Sequence, residues 1–186
     1  MEDSQIIELY WQRSESAIQE TSRKYGKLCR RIAINIVGNF SDAEECENDT
    51  YVATWNAIPP ARPNIFSAFL SKIARNIALN RYEYNKAQKR NNEFDLILSE
   101  LEECIADKNT VEKAYEEGVV AAIIDEFLEG LSQEKRVIFV RRYWYSDPVK
   151  DIARRMQVSE SKVKTVLFRT RKELQKYLAD RGILIG

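Results

Sequence analysis

Residues 150–171 read KDIARRMQVSESKVKTVLFRTR. Ile152, Ala153 and Met156 recur at helical spacing, Val158 follows in a turn, and Val163, Val166 and Leu167 recur again. Two short amphipathic helices joined tightly are helix-turn-helix spacing, with small Ala153 where two backbones approach closely. Ser159 is a good N-cap for the second helix, with Lys162 three residues on. Ser161, Lys162, Lys164, Thr165 and Arg169 fall largely outside the apolar stripe, where such side chains reach phosphates and base edges in a major groove. Arg171 and Lys172 continue the basic surface. The turn carries Gln157 where glycine is usual, so it forms without glycine's tolerance for positive φ. A plain solvated hairpin is the alternative.

A basic helix-turn-helix stands in a chain that carries no excess of positive charge. The 186 residues hold 29 basic and 29 acidic side chains, a formal net charge of zero. The charges are nevertheless segregated, with an excess of +9 over residues 135–181 and of −5 over residues 91–110. Six glycines and four prolines are too few for a fold of many tight turns. The composition therefore predicts an all-α protein of two small helical domains joined by an acidic linker, the second domain containing the helix-turn-helix. The expected bounds are residues 1–90, 91–110 and 111–186.

In the first domain Ile6, Leu9, Tyr10, Ala17, Ile18, Tyr25, Leu28, Ile32 and Ile36 recur at near-helical spacing up to Gly38-Asn39. Ser41 is the expected N-cap of a helix that Pro59-Pro60 must end after Ile58. Asn64 opens the next, with a stripe of Phe66, Phe69, Leu70, Ile73 and Ile77. A short helix is expected around LILSELEECI (96–105), and longer ones from Val111 and after Ser132.

Absent residues exclude whole classes of chemistry. The chain has no histidine, which removes Ser-His and Cys-His catalysis and His-containing zinc sites. Cys29, Cys46 and Cys104 lack metal spacing and read as buried, reduced residues. No cofactor or metal is called for. No apolar run reaches the roughly 18–20 residues of a membrane span, and the acidic start MEDSQ is unlike a signal peptide, so a cytoplasmic protein without membrane insertion is expected.

DAEECENDTYVATWNAI (42–58) followed by FSAFLSKIARNIALNRY (66–82) resembles the paired core helices of bacterial RNA polymerase sigma factors of the sigma-70 family, extracytoplasmic-function (ECF) type. The likeness rests on Asp42-Ala43-Glu44-Glu45, Asp49-Thr50-Tyr51, Trp55, and Ile73 to Asn76. LSQEKRVIFVRRYW (131–144) and the helix-turn-helix are similar to the family's C-terminal, −35-reading domain. The resemblance implies a non-enzymatic subunit that binds core RNA polymerase and directs promoter recognition and transcription initiation. It places Asp42, Glu45, Asp49 and Thr50 on a polymerase-docking helix. It places Arg62, Asn64, Lys72, Arg75, Asn76, Asn80 and Arg81 on the −10 element and its melted non-template strand. Ser159, Ser161, Lys162, Lys164, Thr165, Arg169 and Arg171 fall on the −35 duplex. Small members are commonly held by an anti-sigma protein, a further expected partner.

An acidic edge of Asp42, Glu45 and Asp49 would repel phosphate, and a basic protein partner gives it a reason; acids suiting a helix dipole are the alternative. The linker reads equally as a solvated tether or as a nucleic-acid mimic. A free-standing repressor would leave the acidic edge unexplained. A magnesium enzyme built on Asp42, Glu44, Glu45, Glu47 and Asp49 conflicts with the divergent directions of consecutive helical carboxylates.

Overall fold

The structure, a computed structural model, describes residues 1–85, 92–102, 104 and 119–182. Much of the expected linker, the start of the helix expected from Val111 and the end of the tail GILIG lie outside the described residues. Among the described residues every regular element is a helix, and the chain divides into two compact units, Met1–Phe94 and Asp95–Gly186.

The first unit holds α1 (Asp3–Trp11), α2 (Ser16–Val37), α3 (Phe40–Ala57) and α4 (Phe66–Asn85). Helices α2, α3 and α4 pack on one another, and α1 lies on α2. Gly38 ends α2 in the left-handed region at φ 75°, a conformation that costs glycine little. Asn39 is then extended and its Oδ1 accepts the Asp42 amide at 2.9 Å, so Asn39, not Ser41, caps α3. Ile58 is extended ahead of Pro59, whose ring disfavours helix in the preceding residue, and α3 stops at Ala57.

The buried stripe of α4 is Phe66, Leu70, Ala74, Ala78 and Tyr82. Phe69, Ile73 and Ile77 are only half-buried. The expected stripe is corrected by about one residue, because small Ala74 and Ala78 let neighbouring backbones come close. Ile6, Tyr10, Ile32, Ile36, Ile58, Phe66 and Leu70 form the core. At roughly 1.5–3 kcal/mol for each large apolar side chain, this burial dominates the unit's stability.

The second unit takes in most of α5 (Asn92–Glu102), then α6 (Val119–Gly130), α7 (Gln133–Tyr143), α8 (Val149–Met156) and α9 (Glu160–Ala179). Helix α9 packs on α7 and α8 through Val163, Leu167, Leu174 and Leu178, against Ile138 and Ile152. Phe127 of α6 closes the far end, with ring centroids 6.4 Å from Phe139 and 5.3 Å from Tyr177.

Candidate nucleic-acid interface

The α8–α9 turn keeps the left-handed backbone that glycine usually supplies, although glutamine stands there. Gln157 takes φ 56°, ψ 42°, and the Val158 amide closes on the Ala153 carbonyl at 3.1 Å. Ser159 Oγ accepts the Lys162 amide at 3.1 Å, so this hydroxyl acts as a cap. Ala153 is 5% exposed where α8 meets α9.

From that cap, α9 turns Ser161, Lys164, Thr165 and Arg169 outward. Lys162 is also exposed, but its ammonium pairs with Glu134 at 2.5 Å. Phe168 stands among the outward residues, 55% exposed. It lies seven residues after Ser161 and three after Thr165, hence on the same helical face. Sequence reasoning missed it, since an aromatic beside Leu167 reads as core; its register with Ser161 was the available signal.

Arg171 does not join that face. It is half-buried, with Nη1 donating to Tyr143 Oη at 2.9 Å and lying 3.6 Å from Glu100 Oε2. The same Glu100 carboxylate accepts from Arg142 Nε and Nη2, both at 3.2 Å, and from Tyr143 Oη at 3.0 Å. Arg142 is fully buried. Burial, more than any neighbour, raises the Tyr143 pKa, keeping that hydroxyl protonated as a donor.

In the first unit Lys72, Asn76 and Asn80 lie one helical turn apart and are all exposed on α4. Arg75 is half-buried, and burial lowers its pKa. Arg81 points the other way, into α3, where it pairs with Glu45 and lies 3.9 Å from Asp42. Arg62 and Asn64 are exposed in the loop before α4. Arg62 reaches Glu8 at 3.2 Å and lies over the Trp11 ring, 5.4 Å from its centroid.

The outward face of α3 carries Glu44, Glu45, Asn48, Asp49 and Val52, the last 58% exposed. Asp42 is drawn toward Asn39 and Asn85, which donate to it at 2.6 and 2.8 Å. Thr50 does not belong with the docking residues: it is fully buried and its hydroxyl donates to the Cys46 carbonyl at 2.6 Å. Its side chain follows the inward register of Ala43, Cys46 and Thr54.

Glu47 is also inward, joined to Arg30 at 2.5 Å and to Tyr51 Oη at 2.6 Å. An acid cluster for a metal is thereby dispersed, and among the described residues no three His, Cys, Asp or Glu side chains are grouped to hold one. Gly26 makes room for Glu47, because a Cβ there would sit 2.9 Å from Oε1. Among the described residues no helix is long and apolar enough to cross a membrane.

Comparison with known proteins agrees with this layout. Residues 22–88, spanning α2 to α4, match the family model for sigma-70 region 2. Residues 121–174, which include the helix-turn-helix, match the model for sigma-70 region 4. The chain is similar to the ECF RNA polymerase sigma factor SigE of Mycolicibacterium smegmatis, at 21% identity over 160 residues. That alignment covers 86% of this chain and 61% of the relative, so the chain spans about three-fifths of the length of the protein it matches.

Proposed function

Because the chain belongs to the sigma-70 family and is of ECF type, with regions 2 and 4 both present, we propose that it binds core RNA polymerase and brings it to promoters. The carrying observation is a pair of surfaces of opposite character in separate units. One is the exposed acidic face of α3 around Asp49 and Val52; the other is the outward face of α9 with Lys164, Thr165, Phe168 and Arg169. An acidic face has no use against phosphate, whereas a basic helix of a polymerase subunit complements it.

In this reading the described part of residues 1–90 grips polymerase and the −10 element. Lys72, Asn76 and Asn80 on α4, with Arg62 and Asn64 of the loop, hold the melted non-template strand. Residues 111–186 supply the −35 reader, in which Ser161, Lys164, Thr165, Phe168 and Arg169 face the major groove. Glu45 docks on polymerase only by releasing Arg81. Arg171, Ser159 and Thr50 act by holding structure rather than by touching a partner. The protein works in the bacterial cytoplasm without chemistry of its own.

The deciding experiment combines the purified chain with bacterial core polymerase and a promoter library, then maps transcription starts. New starts sharing −10 and −35 sequences are expected. A chain that binds duplex DNA alone, yet neither binds core nor directs initiation, would refute the proposal in favour of a repressor.

A further inference from the structure

Helix α5 lies outside both matched family regions, in the stretch whose acidity suggested a linker. Its buried side has particular chemistry. Ile97 is 1% exposed, and Cys104 just beyond the helix is 2% exposed, its Sγ 3.9 Å from the Arg171 carbonyl. Glu100 faces the two guanidiniums and the Tyr143 phenol described above, so one carboxylate joins α5 to α7 and α9 at once. We infer that Glu100 is a positioning residue for the DNA-reading helix, and that α5 is a working part of the reader rather than a tether.

This role of Glu100 follows from geometry and rests on the proposal that α9 reads DNA. Val163, Leu167, Leu174 and Leu178 fix how far α9 stands from α7 and α8. An apolar stripe resists rotation of a helix about its own axis only weakly, because dispersion contacts have no direction. Arg171 lies on the flank of α9, between its buried stripe and its open face, where a directional ion pair sets that rotation. A turn of about 20° moves a side-chain tip at about 5–6 Å radius by about 2 Å, enough to break a base contact. Arg142 adds to the arrangement: it is fully buried, with the Glu100 carboxylate on its Nε and Nη2 and the Asp147 carbonyl accepting from Nη1 at 3.4 Å, so loss of α5 would remove a buried charge's ionic partner. An ion cluster used for geometry rather than net stability is the role in which buried charges are best attested.

The test uses the full chain, with the duplex that the wild type enriches from a randomised pool and a scrambled duplex of equal length. Glu100→Gln, Glu100→Asp, Arg171→Gln and the double variant E100Q/R171Q are compared well below their melting temperatures. The measured quantity is the ratio of enriched to scrambled affinity. Both E100Q and R171Q are expected to lower that ratio by about tenfold, with no further loss in the double variant, while scrambled-duplex affinity is kept. E100D, which keeps the charge, should recover part of it. If melting temperatures fall while the ratio holds, Glu100 is only structural and the inference is overturned. A ratio that rises in E100Q would overturn it too, marking Glu100 as a restraint on DNA binding. A wild type that enriches no sequence would instead refute the DNA-reading proposal, and this role with it.

Discussion

Phe168 offers the sharpest quantitative test of the proposal that the second unit reads DNA. It is 55% exposed on a face otherwise formed by Ser161, Lys164, Thr165 and Arg169. A phenylalanine offers about 200 Å² of burial, so about 110 Å² of Phe168 remains to be covered. At about 25 cal/mol per Å² the ceiling is about 2.7 kcal/mol, and the costs of association bring a contact in a groove to about 1–2 kcal/mol. Phe168→Ala should therefore weaken binding to the enriched duplex by about 5–30-fold. Its melting temperature should barely move, since over half of the side chain packs against nothing.

The apolar feature of the major groove is the thymine methyl, and phenylalanine is among the side chains that contact it. Replacing single thymines by deoxyuridine in the enriched duplex removes one methyl each, worth about 0.8 kcal/mol, or about fourfold. Competition anisotropy with each substituted duplex should find one position where wild type loses about fourfold and F168A loses nothing. An equal loss for both proteins at every thymine would refute the assignment. So would unchanged affinity of F168A, or an enriched duplex without thymine in the half-site.

Three other outcomes follow from the geometry. Gly26→Ala gains about 1 kcal/mol of helix propensity but drives a Cβ to 2.9 Å from Glu47 Oε1 and 3.0 Å from Tyr51 Oη. Disturbing that buried, hydrogen-bonded carboxylate costs more than the gain, so urea denaturation should show a net loss of about 1–2 kcal/mol; a stabilised variant would contradict the packing. Asp49→Lys should weaken binding to core polymerase at unchanged melting temperature, whereas Glu45→Lys should also lower the melting temperature, because it puts a like charge beside Arg81 and leaves that guanidinium only the longer contact with Asp42. Equal melting temperatures for the two would show that the Arg81 pair is worth nothing in solution.

The third outcome concerns the thiols. Burial, with Glu47 adding, pushes Cys29 up to about 12, and burial pushes Cys46 to about 11, from an ordinary value of 9.0. Folding keeps both neutral, so their contribution is complete below pH 9 and is lost as pH rises toward those folded values. Unfolding free energy measured in reductant should fall as pH rises from about 9 toward about 11, and Cys29→Ala should flatten that slope. An unaltered slope would remove Cys29 as its cause.

The helix-turn-helix and the α3–loop–α4 unit were legible because their signals are local. Ser159 caps within three residues, and Pro59 stops α3 at its own doorstep. The start of α3 misled because Asn39 and Ser41 are both good caps; the left-handed Gly38 ends α2 in a way that leaves Asn39 extended. The α4 stripe was misplaced because Ile73 and Ile77 look more like core than Ala74 and Ala78, until close helix packing is considered.

Site residues failed where a partner is remote in sequence. Arg81 answers Glu45 from 36 positions away, and Glu100 answers Arg142 from 42, so neither pairing can be seen by helical spacing. Thr50 misled because a polar residue beside Asp49 suggests surface, while a threonine hydroxyl satisfied by its own helix buries readily.

Gln157 bears on how this reader evolves. A side chain held at φ 56° carries strain of order 1 kcal/mol that glycine would relieve. The position is exposed, so exchanging it disturbs no packing. One substitution thus offers spare stability against which new residues at Phe168 or Arg169, some of them destabilising, become tolerable. In a directed change of promoter preference, a Gln157→Gly background should accept a wider set of α9 sequences than the parent. The strained turn acts as a limit on mutational range, set by one torsion angle at the hinge of the reading head.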